Sequence, residues 1–112
     1  MLSGPEQPPV SGKAAKQILL FLHGVGSNGH DLFSLAPLMT DLFPDAYIAS
    51  PNAPFKFDMA PIPDSYQWFS LRDHSPQAMN KKVVEAAPRL SEYIEHLLEK
   101  TGLPISKLGI VG

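Results

Sequence analysis

Hydrophobic residues in this chain come in short bursts separated by polar and proline-rich stretches. The first burst, QILLFLH at residues 17–23, is continuous and stops at a glycine. An unbroken apolar run of this length predicts a strand covered on both faces, as in a parallel sheet. AYIAS at 46–50 and SKLGIVG at 106–112 follow the same pattern and predict two further buried strands. Between the first two, Leu32, Leu35, Leu38, Met39 and Leu42 recur at helical spacing. Asp31 suits the N-cap of that helix. Pro37 lies too deep for a helix starting at Leu32, so Ser34 is the alternative cap, with Pro37 in the first turn. Before the third strand, Ser75 and Pro76 open a long helix. Its Met79, Val83, Ala87, Leu90, Ile94 and Leu97 form one apolar stripe, Pro88 should kink it, and Gly102 should end it.

The order strand, helix, strand, loop, helix, strand predicts an α/β fold, with a mainly parallel sheet, right-handed crossovers and helices on both faces. One domain over residues 17–112 accounts for all of it. Residues 1–16 read as an arm that is flexible or lies along a sheet edge. The connection at 51–74 is long for a segment without elements of its own, which points to a functional loop, a disordered stretch or an element the pattern does not reveal. Its Phe55, Phe57, Tyr66, Trp68 and Phe69 imply that it packs onto the domain, and the prolines at 51 and 54 read as a rigid turn.

Composition narrows the function classes. A 112-residue chain with 44% hydrophobic and 18% charged residues is ordinary for a globular domain. A net charge of −2 argues against a nucleic-acid partner, which calls for clustered Lys and Arg. The chain has no cysteine, so disulfide and thiolate chemistry are out, and a cytoplasmic setting fits. The N-terminus lacks an apolar signal core, and the longest apolar run, at 18–22, is too short for stable membrane insertion.

The candidate chemistry lies in HGVGSNGHD at 23–31, where Gly24, Gly26 and Gly29 fall at G-x-G-x-x-G spacing. Such a loop could cradle a nucleotide phosphate. A dinucleotide fold also wants an acidic residue roughly 20 positions on to hold the ribose. Counting from Gly29 lands on Ala49 and Ser50, and no acid occurs between 46 and 57. A small nucleotide-phosphate-binding module using the Gly24–Gly29 loop is therefore the alternative. The loop could equally stabilise an oxyanion: a strand ending in His-Gly can aim the next backbone N–H, that of Val25, at a developing negative charge. Ser27, His30 and Asp31 stand too close along one loop to form a triad, so Ser27 reads as a loop hydroxyl and Asp31 as a cap. His23, His30 and Asp31 lack the spacing of a metal site, and no cofactor is implied.

Four blocks, LLFLHGVGSNGHDLFSLAPLM, ASPNAP, WFSL and ISKLGIVG, follow in this order. Together they resemble the phospholipase/carboxylesterase branch of the α/β-hydrolases, which includes bacterial carboxylesterases and acyl-protein thioesterases, from residue 17 to residue 112. The resemblance implies a serine hydrolase of carboxylic esters or thioesters, of carboxylesterase, lysophospholipase or acyl-protein thioesterase type, whose substrate could carry an acyl chain. It assigns the oxyanion N–H to Val25 and the turn that shapes it to His23 and Gly24. Pro51, Asn52, Ala53 and Pro54 match the loop after the second strand. Trp68, with Phe69 beside it, matches an aromatic near the acyl groove. The family's nucleophile sits in G-x-S-x-G, of which Gly112 would be the first glycine. The serine, acid and histidine of the triad are thus expected in a C-terminal half beyond these residues. On that reading the 112 residues are an N-terminal half, inactive alone and needing the other half to fold, and their open sheet edge leaves room for a homodimer.

Overall fold

The computed structural model describes residues 2–24, 27–56, 65–68 and 76–111, with the side chains of Gln67 and of residues 76–85 excepted. In chain order the elements are strands β1 (Glu6–Gln7) and β2 (Gln17–Phe21), helices α1 (Gly29–Phe33) and α2 (Ala36–Leu42), and strands β3 (Ala46–Ala49), β4 (Phe55–Lys56) and β5 (Tyr66–Gln67). Helix α3 (Pro76–Thr101), a 3-10 turn at Ile105–Lys107 and β6 (Leu108–Val111) follow. The main sheet has the order β1-β3-β2-β6. β2 runs parallel to both neighbours, with Leu20 opposite Ala49 on one side and Ile110 on the other.

The continuous apolar run of β2 is explained by its central position. Successive strand side chains point to opposite faces. Ile18 and Leu20 therefore pack with Tyr47, Ala49, Tyr93 and Leu97 on the α3 side, while Leu19 and Phe21 pack with Ala36, Ile48 and Met39 on the α2 side. Both faces are covered, so both phases of the strand must be apolar. β6 departs from the expectation of a third buried strand. It pairs with β2 along one edge only among the described residues, and Ile110 is 59% exposed.

The expected helix over residues 32–42 is two helices. Asn28 caps the first: its side chain accepts the Asp31 N–H at 2.9 Å, so Asp31 occupies the first turn and is not the cap. Ser34 closes this helix and does not open the next, its hydroxyl donating to the Asp31 carbonyl at 2.7 Å. The break has a simple cause. Pro37 has no N–H to give to the carbonyl of Phe33, so the α1 ladder cannot continue, and Pro37 sits in the first turn of α2 as expected.

α3 continues through Pro88 as a single 26-residue helix, and Gly102 ends it with φ of 72° and its N–H on the Leu98 carbonyl at 2.8 Å. Its inward face differs from the predicted stripe. Ala86, Tyr93 and Leu97 are buried, Leu90 and Ile94 pack against them, and Ala87 is exposed. Ser75 and the side chains of Met79 and Val83 lie outside the described residues.

The N-terminal arm lies along the outer edge of β3. β1 pairs antiparallel with it, and the edge is further covered by Asn52 N–H to the Ser3 carbonyl, Ser50 N–H to Pro5, Ser11 N–H to Pro44 and Lys16 N–H to Asp45. The arm is pinned through Glu6, whose carboxylate accepts from the Tyr47 hydroxyl, from the Tyr93 hydroxyl at 2.9 Å and from Lys100 Nζ at 3.0 Å. Burial pushes the Glu6 carboxyl up, but these three donors and the Lys100 charge outweigh it and hold it below the ordinary range. The same burial and the facing carboxylate push the Tyr93 hydroxyl up.

The described part of the long connection packs onto the domain, while Phe57 and Phe69 lie outside the described residues. β4 and β5 form a small antiparallel pair, Phe55 lies 5.3 Å from the Arg89 guanidinium, and Trp68 sits against the α3-side core.

Candidate active site

The site is built where β2 runs out. The Leu22 N–H still reaches the Val111 carbonyl at 2.9 Å, and the chain then leaves the sheet at His23, a buried residue. Its carbonyl accepts the Trp68 indole N–H at 3.0 Å, and the two rings stand 5.7 Å apart, centroid to centroid. Nε2 of His23 accepts the Ala53 N–H at 2.8 Å, and Nδ1 lies 2.7 Å from the Gly24 carbonyl. A backbone N–H can only donate, so Nε2 must present its lone pair and the ring proton belongs on Nδ1, facing the Gly24 oxygen. Both nitrogens are thus engaged by backbone groups, which leaves no lone pair of His23 for a metal.

Other described residues of the glycine loop are tied down as well. The Gly24 carbonyl also accepts the Ser27 N–H at 3.2 Å, and the Ser27 carbonyl accepts the Tyr66 N–H at 2.8 Å. At the far end the Gly29 N–H donates to Asn52 Oδ1 at 2.8 Å, and the Gly29 carbonyl accepts the buried Ser50 hydroxyl at 2.7 Å. Glycine is required there by space: a Cβ on Gly29 would stand 2.0 Å from the Ser50 carbonyl oxygen. A Cβ on Gly24 would meet nothing within 4 Å. Close to the loop is a cleft of about 330 Å³ lined by Asn28, His30, Asn52 and Tyr66.

Of the residues singled out from sequence, His23, Gly24 and Trp68 come together at this corner. Val25 and Phe69 lie outside the described residues. Trp68 is half-buried and joins the core to the carbonyl of His23, so it serves the packing of the loop at the least. The Ser27 hydroxyl donates directly to Asp31 Oδ2 at 2.9 Å, with no imidazole between them, which is a loop-to-helix tie and not a triad. A ribose-binding acid would be needed after β3, and the residue there is Ser50, its hydroxyl already committed to Gly29. The resemblance had placed Asn52 and Ala53 in the loop after the second strand without a bonding role, and Ser50 carried no role at all; the structure adds the ties of all three to the glycine loop.

Comparison with known proteins agrees with this architecture. The family described as phospholipase/carboxylesterase matches residues 9–112. Esterase YpfH of Escherichia coli (strain K12) is 26% identical over 100 residues, covering 89% of this chain and 42% of YpfH. The crystal structure of esterase PE8 superposes with a TM-score of 0.87 at 38% identity, covering 99% of this chain and 51% of that one. The chain therefore spans about half the length of these relatives or less. A strand-centred α/β sheet, a glycine turn held at the carboxyl end of its central strand, and a family match across nearly every residue lead to one conclusion: the chain belongs to the phospholipase/carboxylesterase family and has the fold of the N-terminal part of an α/β-hydrolase.

Proposed function

We propose that these residues supply the oxyanion-binding half of a serine hydrolase that cleaves carboxylic esters or thioesters. The observation that carries this reading is the doubly held Gly24 carbonyl just past the end of β2, in the loop whose Asn28 lines a cleft. In a planar trans peptide the N–H points away from its carbonyl. With the Gly24 oxygen held by His23 and Ser27, we assign the N–H of the same peptide, that of Val25, to the substrate. In the complete enzyme a serine on the turn after β6 attacks the acyl carbonyl, a histidine takes the serine proton, and the carbonyl oxygen becomes an anion. The Val25 N–H donates to that anion, and the tetrahedral intermediate collapses to an acyl-enzyme as the histidine returns the proton to the leaving alcohol or thiol. Water then repeats the sequence to release the acid. The 112 residues contain no G-x-S-x-G, so the nucleophile, the acid and the histidine come from the complementary half.

The test is hydrolysis of p-nitrophenyl acetate and of an acyl thioester. The complete hydrolase should turn both over. Val25→Pro, which removes the N–H, should lower kcat by about 100-fold or more, the usual effect of losing one oxyanion donor. Residues 1–112 alone should give no turnover above buffer, and catalysis by them would overturn the assignment of the nucleophile to the other half.

A further inference from the structure

Consecutive residues on one loop hold the two ends of the glycine turn. The Ala53 N–H holds His23 where the turn begins, and the Asn52 side chain holds the Gly29 N–H where it ends, each at 2.8 Å. The loop that carries them is itself fixed. Ser50 and Asn52 donate their N–H groups to the arm at Pro5 and Ser3, and the Ser50 hydroxyl adds a second tie to Gly29. The separation of the turn's two ends is therefore set from outside, by a single rigid segment.

We propose that Asn52 is a positioning residue for the oxyanion donor: by accepting the Gly29 N–H it fixes the span of the glycine turn and hence the aim of the Val25 N–H. The proposal rests on the oxyanion reading given above. It assigns to Asn52 a role that needs only its side-chain oxygen, because the bond made is an acceptance. Asp offers the same oxygen at the same reach, and Leu offers the same size without it. A small misplacement of a catalytic group can cost about 100-fold in rate without touching substrate affinity. Asn52 also borders the cleft of about 330 Å³, so direct contact with substrate is the competing role, and it is distinguishable because it would act on KM.

The experiment compares Asn52→Leu, Asn52→Asp and Val25→Pro in the complete hydrolase, measuring kcat and KM on p-nitrophenyl acetate and the thermal midpoint of each variant. Asn52→Leu is expected to lose roughly 10- to 100-fold in kcat with KM within about twofold. Asn52→Asp should stay within about threefold of the parent in both. A folded Asn52→Leu that keeps its kcat, or one that raises KM at constant kcat, overturns the proposal. So does an Asn52→Asp variant as impaired in kcat as Asn52→Leu. If Val25→Pro leaves kcat intact, the oxyanion reading itself falls. If Val25→Pro is crippled while Asn52→Leu is not, only the positioning role fails. Should Asn52→Leu not fold, amide exchange in the unmodified hydrolase decides: the Gly29 N–H is expected to be strongly protected, and exchange at the rate of an open loop overturns the proposal.

Discussion

Replacing Glu6 with Ala would test whether the N-terminal arm is an integral part of the domain. The Glu6 carboxylate is the acceptor for two tyrosine hydroxyls and one ammonium. Tyr93 is 1% exposed, so its hydroxyl has no ready access to water once its acceptor has gone, whereas Tyr47, at 8%, is less enclosed. A buried donor left unsatisfied costs about 1–3 kcal/mol. Lys100 is 45% exposed on its side chain and rehydrates easily, so its pair with Glu6 adds only about 0.2–1 kcal/mol. Tyr47 stands nearer the rim, where the space vacated by Glu6 admits water, and the expected total is about 2–4 kcal/mol. Urea unfolding at neutral pH, followed by far-ultraviolet circular dichroism, measures it. The sharper measurement is a double-mutant cycle with Tyr93→Phe. In the parent, Tyr93→Phe should cost about 1 kcal/mol; in the Glu6→Ala background it removes an orphaned hydroxyl and should cost nothing or stabilise. A Glu6→Ala loss under about 0.5 kcal/mol, or a Tyr93→Phe cost that is the same in both backgrounds, would refute the reasoning.

The same carboxylate gives a pH dependence. Its folded pKa is lowered, so its contribution is fully present above the unfolded glutamate value of about 4.3 and is lost as pH falls through the lower folded value; Glu6→Gln should flatten the acid limb of the stability profile, and an unchanged limb would show that Glu6 is not the group responsible. Gly29→Ala should destabilise by more than about 2 kcal/mol, because its Cβ meets the Ser50 carbonyl oxygen at 2.0 Å and neither backbone can easily retreat. Gly102→Ala faces no steric contact but must hold φ near 72°, and should cost about 1–2 kcal/mol by thermal melting. If the two alanine variants lost equal stability, close packing at Gly29 would not be the cause of its loss.

The parallel core was legible in the sequence because burial on both faces leaves a strand no polar phase. β2 and β3 read directly as apolar runs for that reason. What escaped depended on partners distant in the chain. The stripe expected for α3 includes Ala87 and omits Tyr93, whose buried hydroxyl finds its acceptor 87 residues away. His23 could be placed in the turn from its motif. The source of its restraint could not be read, since the partner is a backbone amide 30 residues on, and backbone groups carry no sequence signature. The split between α1 and α2 was foreshadowed by Pro37, yet the cap was misplaced, because Asn28, Asp31 and Ser34 all favour cap positions and only the actual ladder selects among them.

The two edges of the main sheet are unequal, and this bears on assembly. The arm occupies the outer side of β3 from Pro44 to Asn52, so that edge offers no ladder to a neighbour. The terminal strand on that side is β1 itself, and it is only two residues long. A neighbouring chain meeting it would find a ladder too short to extend, so the N-terminal segment replaces the longer rim of β3 with one that scarcely invites pairing.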